Sequence, residues 1–310
     1  MKFSFGIRAK PRRYACGWRC LDEAGSEKEQ VGWTHGGLKV RAMEGERLSF
    51  GDRPVSCEND RHRLWLSPGV IMRESTLPIE RLVVALDVPT AAEALDLTRR
   101  LVGRVGMVKV GLELFCAEGP AFVKELQRIV PVFLDLKFHD IPTTVKRTLD
   151  AVLSLNPRLV NVHAQGGPAM LEAAVEAVRT HRQRGGMTEL LAVTVLTSLD
   201  REALARLGST AEPGDMALHL ARMAKECGVD GVVCSAQEAR VLREACGPEF
   251  RLLTPGIRPL GAAVQDQARV VTPAQALRDG ATWLVVGRPI TRAVDPVVAT
   301  DAILREMAAC

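Results

Sequence analysis

The chain has 310 residues, 47% of them hydrophobic and 25% charged, with a formal net charge of +4. That balance excludes a disordered chain, a collagen-like repeat and a disulfide-stapled miniprotein, and it supplies enough apolar surface for a large core. All of the net charge lies in residues 1–71, with 13 Lys and Arg against 9 Asp and Glu, so the neutral remainder offers no basic field to attract nucleic acid.

In chain order, residues 1–71 come first, as an N-terminal extension that carries Trp18, Trp33 and Trp65 but no sustained helical or alternating apolar period. It is expected to be poorly ordered. Its opening, MKFSFGIRAKPRRYACGWRC, lacks the apolar run of a secretory signal, and nowhere does the chain approach the ~18 consecutive apolar residues of a membrane span. A cytoplasmic location without membrane contact is expected. Eight cysteines (16, 20, 57, 116, 227, 234, 246 and 310) include no CxxC pair, which fits reduced thiols rather than a disulfide framework. Cys16, Cys20, Cys57 and His62 read as incidental, because a CxxxC spacing is loose for a metal and the fourth ligand would be arbitrary. Met72 opens MRESTLPIERLVVALD as a plausible start, so residues 1–71 are expected to be dispensable or translated upstream sequence, and residues 72–310 to form the folded domain.

From residue 82 onward, short runs rich in Val, Ile and Leu alternate with longer amphipathic stretches. The predicted strands are 82–87, 107–111, 132–136, 159–163, 190–196, 231–234, 251–254 and 283–287. Helical patterns lie between them, among them TAAEALDLTRRLV, PAMLEAAVEAVRTHRQR, AAVQDQARV and PAQALRDG, the last stopped at Gly280; DPVVATDAILREMAA closes the series. Eight strands with helical crossovers fit a closed (β/α)8 TIM barrel of the α/β class better than an open doubly wound sheet. Neither GxGxxG after the first strand nor GxxxxGK[ST] occurs, which removes the main support for a Rossmann or P-loop reading.

In such a barrel, chemistry gathers at the carboxyl ends of the strands. Asp87 ends the first strand, Lys109 lies within the second, and Asp135 and Lys137 close the third. A charge pointing into an apolar barrel costs several kcal/mol unless paired, so these residues are expected to cluster at the mouth. The period of two along a strand puts Asp135 and Lys137 on one side, within reach of Lys109 on the next strand. Asp140 follows in FLDLKFHDIPTTV, just before Pro142 turns the chain into a helix, where a carboxylate also suits the helix start. A lysine flanked by carboxylates stays protonated and can quench a carbanion.

A second signal lies in TPGIRP (254–259) and VVGRPIT (285–291), the loops after the seventh and eighth strands, which are the usual barrel site for a phosphate. Gly256 and Gly287 let backbone N–H groups approach an anion, and Arg288 presents a bidentate fork. His163 ends the fourth strand, Thr197 and Ser198 follow the fifth and suit either a heterocycle or a helix cap, and Cys234 reads as packing.

Taken together and in order, VALDVPT, VKVGLELF, FLDLKFHDIPTTV, VHAQGG, VTVLTS, TPGIRP and VVGRPIT make residues 79–305 resemble the orotidine 5′-phosphate decarboxylase family. The resemblance implies a (β/α)8 barrel working as a homodimer with shared sites, which forms UMP and carbon dioxide from orotidine 5′-phosphate without metal or cofactor. It makes Lys109, Asp135, Lys137 and Asp140 the catalytic array, with Asp140 contributed to the neighbouring subunit's site. It further implies that Asp87 and Lys109 hold ribose hydroxyls, that Thr144 reaches across with Asp140, and that Thr197 or Ser198 contacts the pyrimidine. Arg258, Gln267, Gly287 and Arg288 would bind or cover the phosphate. Two positions depart from the family's usual pattern, Thr143 in place of Asn and Gln265 in place of Gly. The rival readings are a Mg²⁺-dependent sugar-phosphate enzyme of the same barrel, with Glu113 recruited to the metal, and a nucleotide-binding barrel without turnover.

Overall fold

A computed structural model of the chain describes residues 17–21, 27–34, 37–42, 77–259 and 271–309. The chain divides into two units, Met1–Leu77 and Pro78–Cys310.

In the first unit, β1 (Gly17–Leu21), β2 (Glu27–Thr34) and β3 (Gly37–Ala42) form an antiparallel sheet in the order β1-β2-β3. No strands were expected here. The apolar alternation is short on each strand, Trp18 and Cys20 on β1, Val31 and Trp33 on β2, and Leu38, Val40 and Ala42 on β3, too short a pattern to separate from chance in sequence. In the structure Val31 pairs with Val40 and Trp33 with Leu38. Cys20 falls on β1, whereas Cys16, Cys57 and His62 lie outside the described residues, as does most of the segment expected to be poorly ordered.

In the second unit, eight parallel strands close into the expected (β/α)8 barrel. They are β4 (Leu82–Ala85), β5 (Met107–Gly111), β6 (Val132–Phe138), β7 (Leu159–His163), β8 (Glu189–Val193), β9 (Gly231–Val233), β10 (Arg251–Thr254) and β11 (Trp283–Val286). Their order around the barrel is β10-β11-β4-β5-β6-β7-β8-β9. Where ends differ from expectation, the local hydrogen bonds give the reason. β8 stops at Val193 rather than at residue 196: the Thr194 N–H makes the last ladder bond, to the Val233 carbonyl at 3.1 Å, the same carbonyl accepts from Thr194 Oγ1 at 3.1 Å, and the chain then leaves the ladder.

Helices cover the outside of the barrel and start on sequence signals. Thr90 accepts a hydrogen bond from the Glu93 N–H at the head of helix Ala91–Leu101, and Pro142, Pro168, Pro213 and Pro296 open four others, where a missing N–H costs nothing. The helix predicted to stop at Gly280 runs Pro273–Arg278, and Gly280 itself adopts φ 98°. Residues 262–270, including the predicted AAVQDQARV stretch, lie outside the described residues except for its neighbour Val271. No helix among the described residues is long and apolar enough to cross a membrane.

Strand alternation splits the core in two. Val83, Ala85, Met107, Phe133, Leu159, Leu191, Leu253, Trp283 and Val285 fill the barrel, while Leu82, Val84, Val108, Leu134 and Val160 pack outward under the helices. Continuing the inward parity toward the carboxyl ends leads from Met107 to Lys109, from Phe133 to Asp135 and from Leu159 to Asn161. The apolar filling is therefore capped by a polar layer.

Candidate active site

That polar layer is a continuous chain of opposite charges. Lys109 Nζ lies 3.1 Å from Asp87 Oδ1 and 3.4 Å from Asp135 Oδ2, and Lys137 Nζ lies 2.7 Å from Asp135 Oδ1. Asp135 stands at the centre, only 7% exposed, with an ammonium on each carboxylate oxygen. Burial works against its charged form, but the ammonium groups of Lys109 and Lys137, followed by hydrogen bonds from Lys137 and Asn161, outweigh it and hold the carboxyl below its usual value. The register of β5 on β6 builds this contact, since Gly111 pairs with Asp135 and Lys109 with Phe133. A Cβ on Gly111 would stand 3.2 Å from Lys109 Nζ, so the glycine leaves room for the ammonium.

Asp135 and Lys137 were expected on one side of a regular strand. They do meet, but not through regular geometry. The β6–β7 register shifts between Leu134 and Phe138, and Lys137 has a left-handed backbone with φ 49°. For a residue with a side chain that conformation costs on the order of 1–2 kcal/mol. Asn161, fully buried on β7, accepts a hydrogen bond from the Lys137 N–H through Oδ1 at 2.8 Å and donates from Nδ2 to Asp135 Oδ1 at 2.7 Å. The sequence reading missed Asn161. The signal was present: an amide in the middle of the apolar run LVNVH needs a partner as surely as a charge does.

Asp140 stands apart from the array. It is exposed, and its Oδ1 accepts a hydrogen bond from the neighbouring Ile141 N–H at 2.7 Å; among the described residues it forms no ion pair with Lys109 or Lys137. Within one chain, then, the structure joins Asp87, Lys109, Asp135 and Lys137 and leaves Asp140 outside them. Thr144 is exposed on helix Pro142–Leu153, and Thr197 and Ser198 are exposed in the turn after β8. Ile141 beside Asp140 and Leu112 at the end of β5 are large apolar side chains left in water, 66% and 54% exposed.

On the other side of the mouth, Gly287 follows β11, and a Cβ there would stand 3.6 Å from Asp87 Oδ2. Its successor Arg288 opens the short helix Arg288–Thr291, so both belong to the loop beside the Asp87 end of the array. Arg258 is buried, its backbone N–H donating to the Val271 carbonyl, and Gly256 has φ 78°. Gln267 and Gln265 lie outside the described residues. His163, at the end of β7, places its ring 5.4 Å from that of His139. Glu113 is exposed in the first turn of helix Leu112–Gln127, and no cluster of three His, Cys, Asp or Glu suited to a metal occurs among the described residues. Cys234 is buried at the end of β9, which burial pushes well toward the neutral thiol.

Residues 80–303 match the model of the orotidine 5′-phosphate decarboxylase / HUMPS family. The chain belongs to that family. It is 50% identical over 228 residues to the orotidine 5′-phosphate decarboxylase of Nitrosococcus oceani, covering 73% of this chain and 97% of that protein. It is 51% identical over 232 residues to the one of Moorella thermoacetica, covering 74% and 92%. Among solved structures, the orotidine 5′-phosphate decarboxylase of Lactobacillus acidophilus superposes with a TM-score of 0.66 at 38% identity, over 73% of this chain and 98% of that one.

Proposed function

We propose that this protein decarboxylates orotidine 5′-phosphate to UMP and carbon dioxide, and that Lys137 is its proton donor. The observation that carries this reading is the unbroken sequence of contacts from Asp87 through Lys109 and Asp135 to Lys137 at the barrel mouth. The C6–carboxylate bond breaks and the electron pair stays on C6, where the Lys137 ammonium stabilises it and then delivers the proton; solvent returns a proton to the amine. Asp135 holds the Lys137 side chain in place, and its own negative charge disfavours the substrate carboxylate, although a preorganised ammonium aimed at the developing carbanion is the larger effect.

Asp87 and Lys109 suit the ribose hydroxyls. Thr197 and Ser198 suit the pyrimidine edge, and Arg258, Gln267, Gly287 and Arg288 suit the phosphate. Phosphate contacts remote from C6 supply binding energy that is used in the transition state. A charged nucleotide does not cross a bilayer unaided, so the enzyme works in the cytoplasm with its substrate.

The test is the ultraviolet absorbance of orotidine 5′-phosphate incubated with the purified protein. Turnover that persists in EDTA separates this reading from a Mg²⁺-dependent sugar-phosphate enzyme. Lys137→Ala should lower kcat by at least about 10³-fold, the scale of losing a general acid and its charge, while UMP still binds. Substantial residual turnover would remove Lys137 from its role.

Asp140 belongs to a site in a second copy of the chain, which is why it sits outside the array of its own. Mixing Lys137→Ala with Asp140→Ala, each inactive alone, should then restore activity. Only the mixed dimer combines an intact Lys137 with an intact Asp140 from its partner, so a random equimolar mixture regains about a quarter of the wild-type sites. A mixture as inactive as its parts would place Asp140 outside any shared site.

A further inference from the structure

Between Leu134, which pairs with Val160, and Phe138, which pairs with Val162, β6 runs through three residues while β7 runs through one. Asp135, Leu136 and Lys137 thus have Asn161 alone opposite them, and the main-chain ladder cannot serve them all. We propose that Asn161 is a positioning residue for the decarboxylation: its side chain stands in for the missing rung of the ladder and fixes Asp135 and Lys137 in one relation to each other. This inference rests on the decarboxylase reading above.

Both ends of the amide are committed, and chemistry dictates which end goes where. The Lys137 N–H is a donor and faces Oδ1 at 2.8 Å; the Asp135 carboxylate is an acceptor and faces Nδ2 at 2.7 Å. Asp135 Oδ1 is the same oxygen that receives the Lys137 ammonium, also at 2.7 Å. A closed circuit results, running from the Lys137 backbone through Asn161 to Asp135 and back to the Lys137 side chain. It clamps the left-handed turn at φ 49° and the carboxylate rotamer together. Asn161 is fully buried, so bulk water does not compete for either bond. A Leu or Val of similar size would satisfy the packing of β7 and lose the clamp.

Asn161 has no part in holding ribose or phosphate, which the reading above assigns to Asp87, Lys109 and the loops after β10 and β11. Its loss should therefore fall on the chemical step. In the full-length protein, Asn161→Ala is expected to lower kcat by about 10²-fold, the scale of a catalytic group displaced by roughly an ångström. KM and the UMP dissociation constant measured by calorimetry should stay within about threefold of wild type.

Asn161→Asp separates positioning from simple loss of structure. The introduced carboxylate still accepts from the Lys137 N–H, but it cannot donate to Asp135, and two adjacent carboxylates force one of them to take up a proton. Once protonated, the introduced carboxyl donates to Asp135 and closes the circuit again. The groups facing this pair are Lys137 on β6, Lys109 on β5, Asp87 after β4, His163 on β7 and His139 after β6. They are common to wild type and variant, so the ratio of their kcat values isolates the new proton. Expressed as that ratio, activity should rise as pH falls from about 8 to about 5.5.

Wild-type kcat in Asn161→Ala, an equal loss of UMP affinity, or an Asn161→Asp profile parallel to wild type would overturn the proposal. If Asn161→Ala does not fold, the profile of Asn161→Asp decides. Absence of turnover in the wild type would overturn the decarboxylase reading and this inference with it, whereas wild-type turnover beside an unimpaired Asn161→Ala overturns this inference alone.

Discussion

His163 closes β7 with its Nδ1 buried and without a hydrogen-bond partner among the described residues. Burial, then the neighbouring His139 and Lys137, favour the neutral ring and hold its pKa below the ordinary 6.5, against the weaker pull of Asp135. The sign follows from which state binds the proton first. As pH falls through 6.5 the unfolded imidazole is protonated while the folded one is still neutral, so stability is complete above that pH and is lost on the way down through the folded value. His163→Asn should therefore flatten the decline in melting temperature between about pH 7.5 and pH 5.5. Thermal melts of both proteins across that range check it, and parallel curves would show that His163 titrates alike in the folded and unfolded chain. At this scale the sequence was readable wherever a charge interrupted an apolar run: Lys109, Asp135 and Lys137 had to be paired, and they are. Asn161 obeys the same rule but carries no charge, so the cost of burying it is smaller and the sequence shows it less plainly.

Strand β6 shows why elements are more legible than their details. The run VFLDL marks a strand because Val, Phe and Leu suit a surface buried on both faces, and β6 begins at Val132 as expected. Its far end depends on a partner. The shift against β7 and the left-handed Lys137 arise because an Asn side chain on another strand offers what the ladder does not, and nothing within 132–138 announces that. Period-two reasoning still placed Asp135 and Lys137 together, since the long lysine side chain spans the irregularity. The end of β8 likewise depends on a partner, since its ladder with β9 makes its last pair at Val193 and Val233 although the apolar run continues to Leu196. The meander β1–β3 marks the opposite limit, with only two or three alternating apolar residues on each strand and a pairing that only the structure makes visible.

At the scale of the molecule, eight apolar runs separated by amphipathic stretches were enough to infer a closed barrel, because each strand buried on both faces needs a neighbour on either side and closure gives one to all. What one chain's pattern does not fix is the place of a residue at the edge of the site: Asp140 follows the array closely in sequence, yet its carboxylate accepts from the neighbouring Ile141 N–H. The partition of the chain itself leads to a further test. The barrel unit begins at Pro78, and the relatives from Nitrosococcus oceani and Moorella thermoacetica have 97% and 92% of their own lengths matched by only 73% and 74% of this chain. The family match spans residues 80–303 and leaves residues 1–71 outside it. Among the described residues, both hydrophobic clusters of the barrel are drawn from Leu82 onward. A chain starting at Met72 should accordingly melt within about 2 °C of the full-length protein, the shift expected for a change below roughly 0.5 kcal/mol, and retain kcat/KM for orotidine 5′-phosphate within about twofold. Scanning calorimetry and the absorbance assay on the two chains measure both quantities. A fall of more than about 5 °C, or loss of turnover, would make the extension a working part of the barrel enzyme rather than an appendage to it.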